Sequence, residues 1–431
     1  MYTNHMSFKI STFQELRNRF QTWPEMKAHF ESQDGGSLRV VEQDGLAVVR
    51  YEKKGGAQDA STDFFRSVVW DTSGNLPLCV APPRAQDGMP PLGVQLSSVE
   101  DFADGFMMNA WVVDGVLQVA TRTRVGGENG FYSDKTFGTL FEECLATTPL
   151  KTMDALRDSL ESIRAETKAV AAFASFVVQH PEHRVVAKFA APGLYVVHTG
   201  YTTGDGLVHM SERAVNWPQA LSRLQVPSYP TRTFATEANV EDLLKRTSTQ
   251  RGWRWQGLVF KNGAGGRWRL RTPTYQLLRE LRGSEATALD RFFRLRAFKK
   301  VTDYLKHYSE DRDLFWEYEQ ILRARTADVL AAYTDVHKAH AVAFKDLPTA
   351  LKPAVYLLHL KWRDELRAKN FSVRLQNAIQ VVNKLRGFEK KRLMDAEPYV
   401  AVSPARSKEW GGEAEEGEGE GEGEGEGEAQ E

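Results

Sequence analysis

The segment Trp253–Tyr275 reads WRWQGLVFKNGAGGRWRLRTPTY. Its residues suit two β-strands on either side of a glycine-rich turn. Asn262-Gly263 marks a hairpin, because both residue types tolerate positive φ. Side chains alternate along a strand, so Arg267, Arg269 and Arg271 share one face and Trp268 and Leu270 the other. Three guanidinium groups on one face, backed by a packed aromatic, suit the holding of anions.

Outward from this hairpin the chain changes character twice. Residues 1–37 form a helical lead-in, with Phe13, Leu16, Phe20 and Trp23 at helical spacing before Pro24. From Leu38 to Val125 the pattern is β: LRVVEQDGLAVVRY, FFRSVVW, LPLCVA and FMMNAWVVDGVLQVATRTR, the last with an Asp114-Gly115 turn. The proline-rich APPRAQDGMPPLG between them reads as irregular. Helices are expected over 136–146 and 150–164, then strands at AAFASFVVQ, RVVAKFA and GLYVVHTGYT, and short helices over 217–224 and 240–247. After Pro273 only amphipathic helices fit, over 275–281, 285–308, 311–343, 352–369 and 372–393. The expected organisation is a lead-in (1–37), a β-rich domain (38–275), a basic helical domain (276–395) and a disordered Gly/Glu tail (396–431). The fold class is α+β: an antiparallel β-rich domain followed by an all-α domain.

The chain has 431 residues, 42% of them hydrophobic, which allows a sizeable core and about two or three domains. No apolar run reaches membrane-spanning length, and MYTNHMSFKI lacks a signal-peptide pattern. Cys79 and Cys144 are the only cysteines, which argues against a disulfide framework and fits a reducing, cytoplasmic compartment. The formal net charge is −1, but residues 411–431 hold ten glutamates and no basic residue, so residues 1–410 stand at +9 (−1 plus 10). Residues 276–395 carry 24 Lys plus Arg against 16 Asp plus Glu. A basic body favours a polyanion such as RNA. Scattered surface charge is the alternative reading. The Gly/Glu repeat cannot bury apolar surface; it could compete with nucleic acid or simply solubilise.

Common catalytic signatures are absent: no GxxxxGK[ST], HExxH or GxSxG. His337 and His340 lie three apart on an expected helix but lack a third ligand. His180 and His183 flank Pro181 in an expected surface loop. Arg66, Arg84, Arg122, Arg124, Arg269 and Arg271 fall at strand ends of the β-rich domain. Either each pairs locally with a carboxylate, or they cluster round one pocket.

The order of these pieces resembles the covalent nucleotidyltransferases, in particular ATP-dependent RNA ligases of the phage RNA ligase 1 type, over about residues 40–280. In that family a Lys-x-Asp-Gly motif opens a strand and the lysine attacks ATP. The matching segment here is Phe102-Ala103-Asp104-Gly105. The family's Phe-Glu-x-Val-x-Pro-x-Asn-Arg-Ile-Val motif is matched by Phe176 to Val186, FVVQHPEHRVV. Its Glu-Gly strand is matched by Gln256-Gly257, and its Lys-x-Lys-Ser-x-x-Tyr strand by Arg269 to Tyr275.

The scaffold positions match and the chemical ones do not. Phe102 stands at the nucleophile position, Val177 and Gln256 at carboxylates, and Arg269 and Arg271 at paired lysines. Phenylalanine has no lone pair to form a phosphoamide, and valine and glutamine carry no charge for a divalent ion. No lysine occurs between Lys54 and Lys135. The resemblance therefore implies a non-catalytic pseudo-ligase, with nucleotide or RNA held by Arg66, Arg84, Asp104, Gly105, Arg122, Arg124, Gln256, Arg269 and Arg271. ATP and Mg²⁺ would be its cofactors only if activity survives through a relocated nucleophile. A structural protein using the same scaffold is a further alternative. The phrase YLKHYSEDRDLFWEYEQILRART resembles ligase-like proteins of large DNA viruses of protists, which implies a virion or the host cytoplasm as a location.

Overall fold

The computed structural model describes residues 7–52, 62–211, 217–231 and 237–403. Of the expected disordered tail, 396–403 is described and ordered, with Tyr399, Val402 and Ser403 bound to Asp335, and the remainder lies outside the described residues. The chain divides into two compact units, Met1–His307 and Tyr308–Glu431.

The first unit contains three sheets. One has four antiparallel strands in chain order: β2 (Arg39–Gln43), β3 (Leu46–Arg50), β4 (Val68–Asp71) and β5 (Leu76–Val80). The largest comprises β1 (Ser7–Ile10), β8 (Phe106–Val113), β9 (Val116–Thr121), β10 (Ala171–Gln179), β11 (Gly193–Thr202) and β12 (Val208–Ser211), in the order β1-β12-β11-β10-β8-β9. The third comprises β6 (Gln86–Asp87), β7 (Leu96–Asp101), β13 (Ser228–Tyr229), β14 (Gly257–Asn262) and β15 (Arg267–Arg271), in the order β13-β7-β14-β15-β6.

The six-stranded sheet is covered on both faces, and strand alternation separates two cores. Trp111 and Phe173 join Phe13, Phe30, Val48 and Trp70 on one side. Met108, Ala110, Val112, Phe176 and Val178 join Phe141, Leu156 and Leu160, from the helices Phe137–Ala146 and Met153–Thr167, on the other. The pairing of β10 with β11 shifts register between Ser175 and Phe176, where Val197 of β11 is the extra residue, and the alternation of β10 runs through unbroken. On the third sheet Trp268 packs with Val99, Leu258 and Phe260. Its opposite side holds a wholly buried Lys261, paired with Glu100 at 2.8 Å.

Several expectations need correction. RVVAKFA forms no strand: the Val186 and Ala187 amides donate to the Asp104 carboxylate at 3.3 and 2.9 Å instead of a ladder. FFRSVVW begins as a 3₁₀ turn, Asp63–Arg66. APPRAQDGMPPLG is not wholly irregular, since it contains β6. β7 (LSSVED) was not expected as a strand, because its inward Ser98 and Glu100 face Lys261 rather than an apolar core. At the 262–266 turn, positive φ falls on Gly265 (85°), not on Asn262-Gly263; Asn262 Oδ1 instead accepts from the Ala264 and Gly266 amides. The Asp114-Gly115 turn has the expected positive φ at both residues, 48° and 75°.

Among the described residues only helices follow β15, yet Pro273–Arg282, Ala288–Ala297 and Val301–His307 belong to the first unit. The expected helix 285–308 is interrupted at Lys299, whose φ is 55°. The second unit comprises Arg312–His337, Lys352–Lys361 with its continuation to Lys369, Leu375–Lys384 and Gly387–Met394. Phe315, Leu322, Val329 and Val336 recur at heptad spacing and are buried. No described helix is long and apolar enough to cross a membrane.

Candidate functional site

The segment after β7 lies on the rim of a cavity of about 380 Å³. Phe102, Gln179, Phe189, Tyr195, Trp255 and Gln256 are among its lining residues, with Asp101, Asp104, Arg251 and Arg254. This volume lies within the range of small-ligand pockets, and its walls mix aromatic and amide groups. No lysine lines it among the described residues.

Two backbone crossings explain the glycines beside Asp104 and Gln256. A Cβ on Gly105 would stand 2.2 Å from the Val178 carbonyl oxygen, and one on Gly257 would stand 1.9 Å from that of Leu270. Both residues have positive φ, 147° and 137°. Only glycine allows so close an approach.

The rim is braced by two carboxylates. Asp101 accepts from the Tyr229 hydroxyl at 2.6 Å, Trp255 Nε1 at 2.8 Å and Arg251 at 2.9 Å. Burial, followed by the hydrogen bond and charge of Asp101, pushes the Tyr229 hydroxyl above its ordinary range. Asp104 is buried and accepts from Tyr275 at 2.7 Å as well as from the Val186 and Ala187 amides. Burial and the Asp104 charge likewise raise Tyr275. Asp104 thus acts as an anchor of the helix Pro273–Arg282. Gln256 is 4% exposed, and its side-chain amide has no hydrogen-bond partner among the described residues.

Magnesium needs uncommitted oxygen ligands. Both cavity carboxylates are engaged by three donors each, and Val177 and Gln256 offer no charge. The residues present do not fit that ion.

Phe102 joins the cavity to a cluster of arginines. The Arg271 guanidinium lies 4.9 Å above its ring. Burial, with repulsion from Arg269 and Arg279, holds Arg271 down to about 10 against the pull of Asp87 and Tyr275. Arg66 is also held down to about 10: burial leads, Tyr51 opposes, and Arg267, Arg122 and Arg269 add repulsion. Arg122 and Arg84 lie 5.2 and 5.7 Å from the Tyr51 ring. Arg122 also donates to the Arg66 carbonyl at 3.2 Å. Asp87 binds Arg269 through both oxygens, at 2.6 and 3.0 Å, and stands 3.6 Å from Arg271. The Arg269 hydrogen bond leads the causes that hold the Asp87 carboxyl below its usual range. Guanidinium groups keep their protons, so such crowding is relieved by an anion rather than by deprotonation.

The candidate residues therefore fall into two groups. Phe102, Asp104 and Gln256 line the cavity, while Arg66, Arg84, Arg122, Arg269 and Arg271 form the cluster; Gly105 is a packing position. Arg124 is exposed after β9, where its backbone pairs with Thr121, and its side chain contacts neither group among the described residues. Sequence reading did not single out Asp87, whose loop lacked a strand pattern, or the Arg251, Arg254 and Tyr195 walls. Asp87 follows a lone arginine in a proline-bounded loop, which was the available signal.

The histidines are corrected as well. His180 and His183 are buried, not in an exposed loop. His180 pairs with Glu143 at 2.9 Å, and Lys135 bridges Glu143 and Glu182 at 2.9 and 2.7 Å. The ammonium already sits where Glu143, His180 and Glu182 would converge on a metal. His337 stacks on His359, 4.0 Å between centroids, while His340 lies past the helix end at φ 53°.

No protein-family model and no curated protein sequence matches the chain. Among solved structures, it is similar to an archaeal ATP-dependent RNA ligase, in structures designated form 1 and form 2. Form 1 has a TM-score of 0.35 and 14% identity, over 71% of this chain and 74% of the other. Form 2 has the same TM-score and identity, over 73% and 82%. It is also similar to a provisionally assigned ATP-dependent DNA ligase from Aquifex aeolicus, with a TM-score of 0.33 and 13% identity over 83% and 86%.

Proposed function

We propose that this protein is a ligase-like pseudoenzyme that binds nucleotide or RNA without forming a covalent adenylate. The observation that carries this reading is Phe102: it occupies the position matching the family's lysine, on the rim of a lysine-free cavity and beneath Arg271. The cavity takes the base, with Gln256 offering a donor and an acceptor to its edge. The Arg66–Arg84–Arg122–Arg269–Arg271 cluster takes the phosphates.

Incubation with α-labelled ATP and magnesium, followed by denaturation, is expected to leave no label on the protein. Equilibrium titration with ATP should show binding that Arg269→Gln weakens. A labelled protein would overturn the reading and, by peptide mapping, reveal the nucleophile of an active ligase. For single-stranded RNA the log–log salt dependence should slope at roughly −0.7 per phosphate contact. Absence of both nucleotide and RNA binding at low salt would favour a structural role.

A further inference from the structure

The helices of the second unit carry a charge excess that their own carboxylates do not neutralise. Residues 352–395 contain 11 Lys plus Arg against 4 Asp plus Glu. Three of those carboxylates pair locally: Asp364 with Arg363 at 2.6 Å, Glu389 with Arg386 at 2.5 Å, and Glu365 with Lys361. Arg367, Lys369, Arg374 and Lys384 are exposed and have no carboxylate partner among the described residues. Part of the excess gathers at one corner. Lys361 binds Glu365, and the charges of Lys384 and Lys369 also bear on that carboxylate. Three ammonium groups thus bear on one acid, where the helix Lys352–Lys361 and its continuation pack against Leu375–Lys384. Phe371 beside them is 59% exposed.

The opposite charge is tethered to the same unit. Asp335 is wholly buried in the helix Arg312–His337 and accepts from Tyr399 at 2.9 Å, Val402 N at 2.8 Å and Ser403 N at 3.1 Å. Burial would raise the Asp335 carboxyl, but these hydrogen bonds hold it below its usual range. The chain is therefore pinned at Ser403, with seven residues between it and the segment 411–431 with its ten glutamates. Seven extended residues reach about 25 Å, and a unit of about 100 residues has a radius of gyration of only ~13 Å. The segment can reach any face of the unit, at an effective concentration of order millimolar.

We propose that the Gly/Glu segment 411–431 docks on the Lys361–Lys369–Lys384 corner of its own helical unit and excludes external polyanions from it. Glutamate carboxylates replace phosphates there, glycines let the chain follow the surface, and no apolar contact is needed. The proposal stands apart from the nucleotide site in the first unit and does not rest on it.

The test uses the full chain, dilute enough that contacts are intramolecular. Zero-length carbodiimide coupling at about 50 mM salt, mapped by mass spectrometry, should join tail glutamates to Lys369 and Lys384, and coupling should fall severalfold at about 0.5 M salt. In a full-length variant with all ten tail glutamates changed to glutamine, Lys369 and Lys384 should be acetylated at least about threefold faster, with Lys151 and Lys245 unchanged. The same variant should bind a single-stranded oligouridylate about tenfold more tightly, the effect of removing a millimolar competitor with Kd of about 0.1 mM. Cross-links spread over lysines of residues 1–307, or lysine reactivity unchanged in the glutamine variant, would overturn the proposal. Failure of the nucleotide titration would leave these outcomes untouched.

Discussion

Asp87→Asn should tighten anion binding, the opposite of what loss of a charged residue in a binding site usually does. Asp87 is the carboxylate that holds Arg269, at 2.6 and 3.0 Å, and it lies 3.6 Å from Arg271. An anion seated on the same guanidinium would sit about 5 Å from it, and two unit charges at that distance repel by about 0.8 kcal/mol in water and about 3.3 at an effective dielectric of 20. The Asp87 side chain is 72% exposed, so the lower end applies. Its removal should favour the bound anion by about 0.8–1.4 kcal/mol, or roughly four- to tenfold in Kd. Isothermal titration with ATP and with inorganic pyrophosphate, at low and high salt, measures this. The gain should shrink with salt as the charges are screened. Arg269→Gln should move affinity the other way. If Asp87→Asn weakens binding or leaves it unchanged, the arginines serve their local carboxylate and not a ligand.

Gly257→Ala should cost about 3 kcal/mol or more in chemical denaturation, because its Cβ would meet the Leu270 carbonyl at 1.9 Å; Gly263→Ala, with nothing within 4 Å, should stay within about 0.5. Phe102→Lys alone should still give no adenylate label, since Val177 and Gln256 remain uncharged; a label would show that the lysine was the sole loss. Burial leads the causes that hold His183 down to about 4, from an ordinary 6.5. The unfolded chain therefore takes up a proton first, so stability should be full above about pH 6.5 and fall by about 3 kcal/mol down to pH 4, flattening below. His183→Gln should remove that slope in urea titrations between pH 7 and 4.

The fold was legible where alternation met an apolar core. β8 and β10 bury aliphatic and aromatic residues, β11 buries Leu194, Val196 and Val197, and the Asp114-Gly115 turn has the geometry its residues demand. It was illegible where the interior is polar. β7 presents Ser98 and Glu100 inward to Lys261, a pattern that a hydrophobic reading assigns to a loop. RVVAKFA misled in the reverse sense: Val186 and Ala187 are buried as strand residues would be, but their amides belong to Asp104. For the site, the glycines of the family-like motifs have a steric cause visible in two carbonyl contacts. The arginines were found individually, but alternation along one strand could not reveal that Arg66, Arg122 and Arg269 repel one another, because they come from separate segments.

β6 has a consequence beyond delivering Asp87. Without it, β15 would end its sheet with a row of free backbone donors and acceptors, a template for another chain. Gln86 and Asp87 pair with Trp268 and Arg269, and the Gly88 amide reaches the Arg269 carbonyl at 3.0 Å. Pro82 and Pro83 precede this short cover and Pro90 and Pro91 follow it, so it cannot lengthen into a new adhesive strand. Shortening the loop should therefore do more than remove a counter-charge. It should leave a strand rich in tryptophan and arginine open to edge-to-edge self-association, visible as concentration-dependent growth in light scattering.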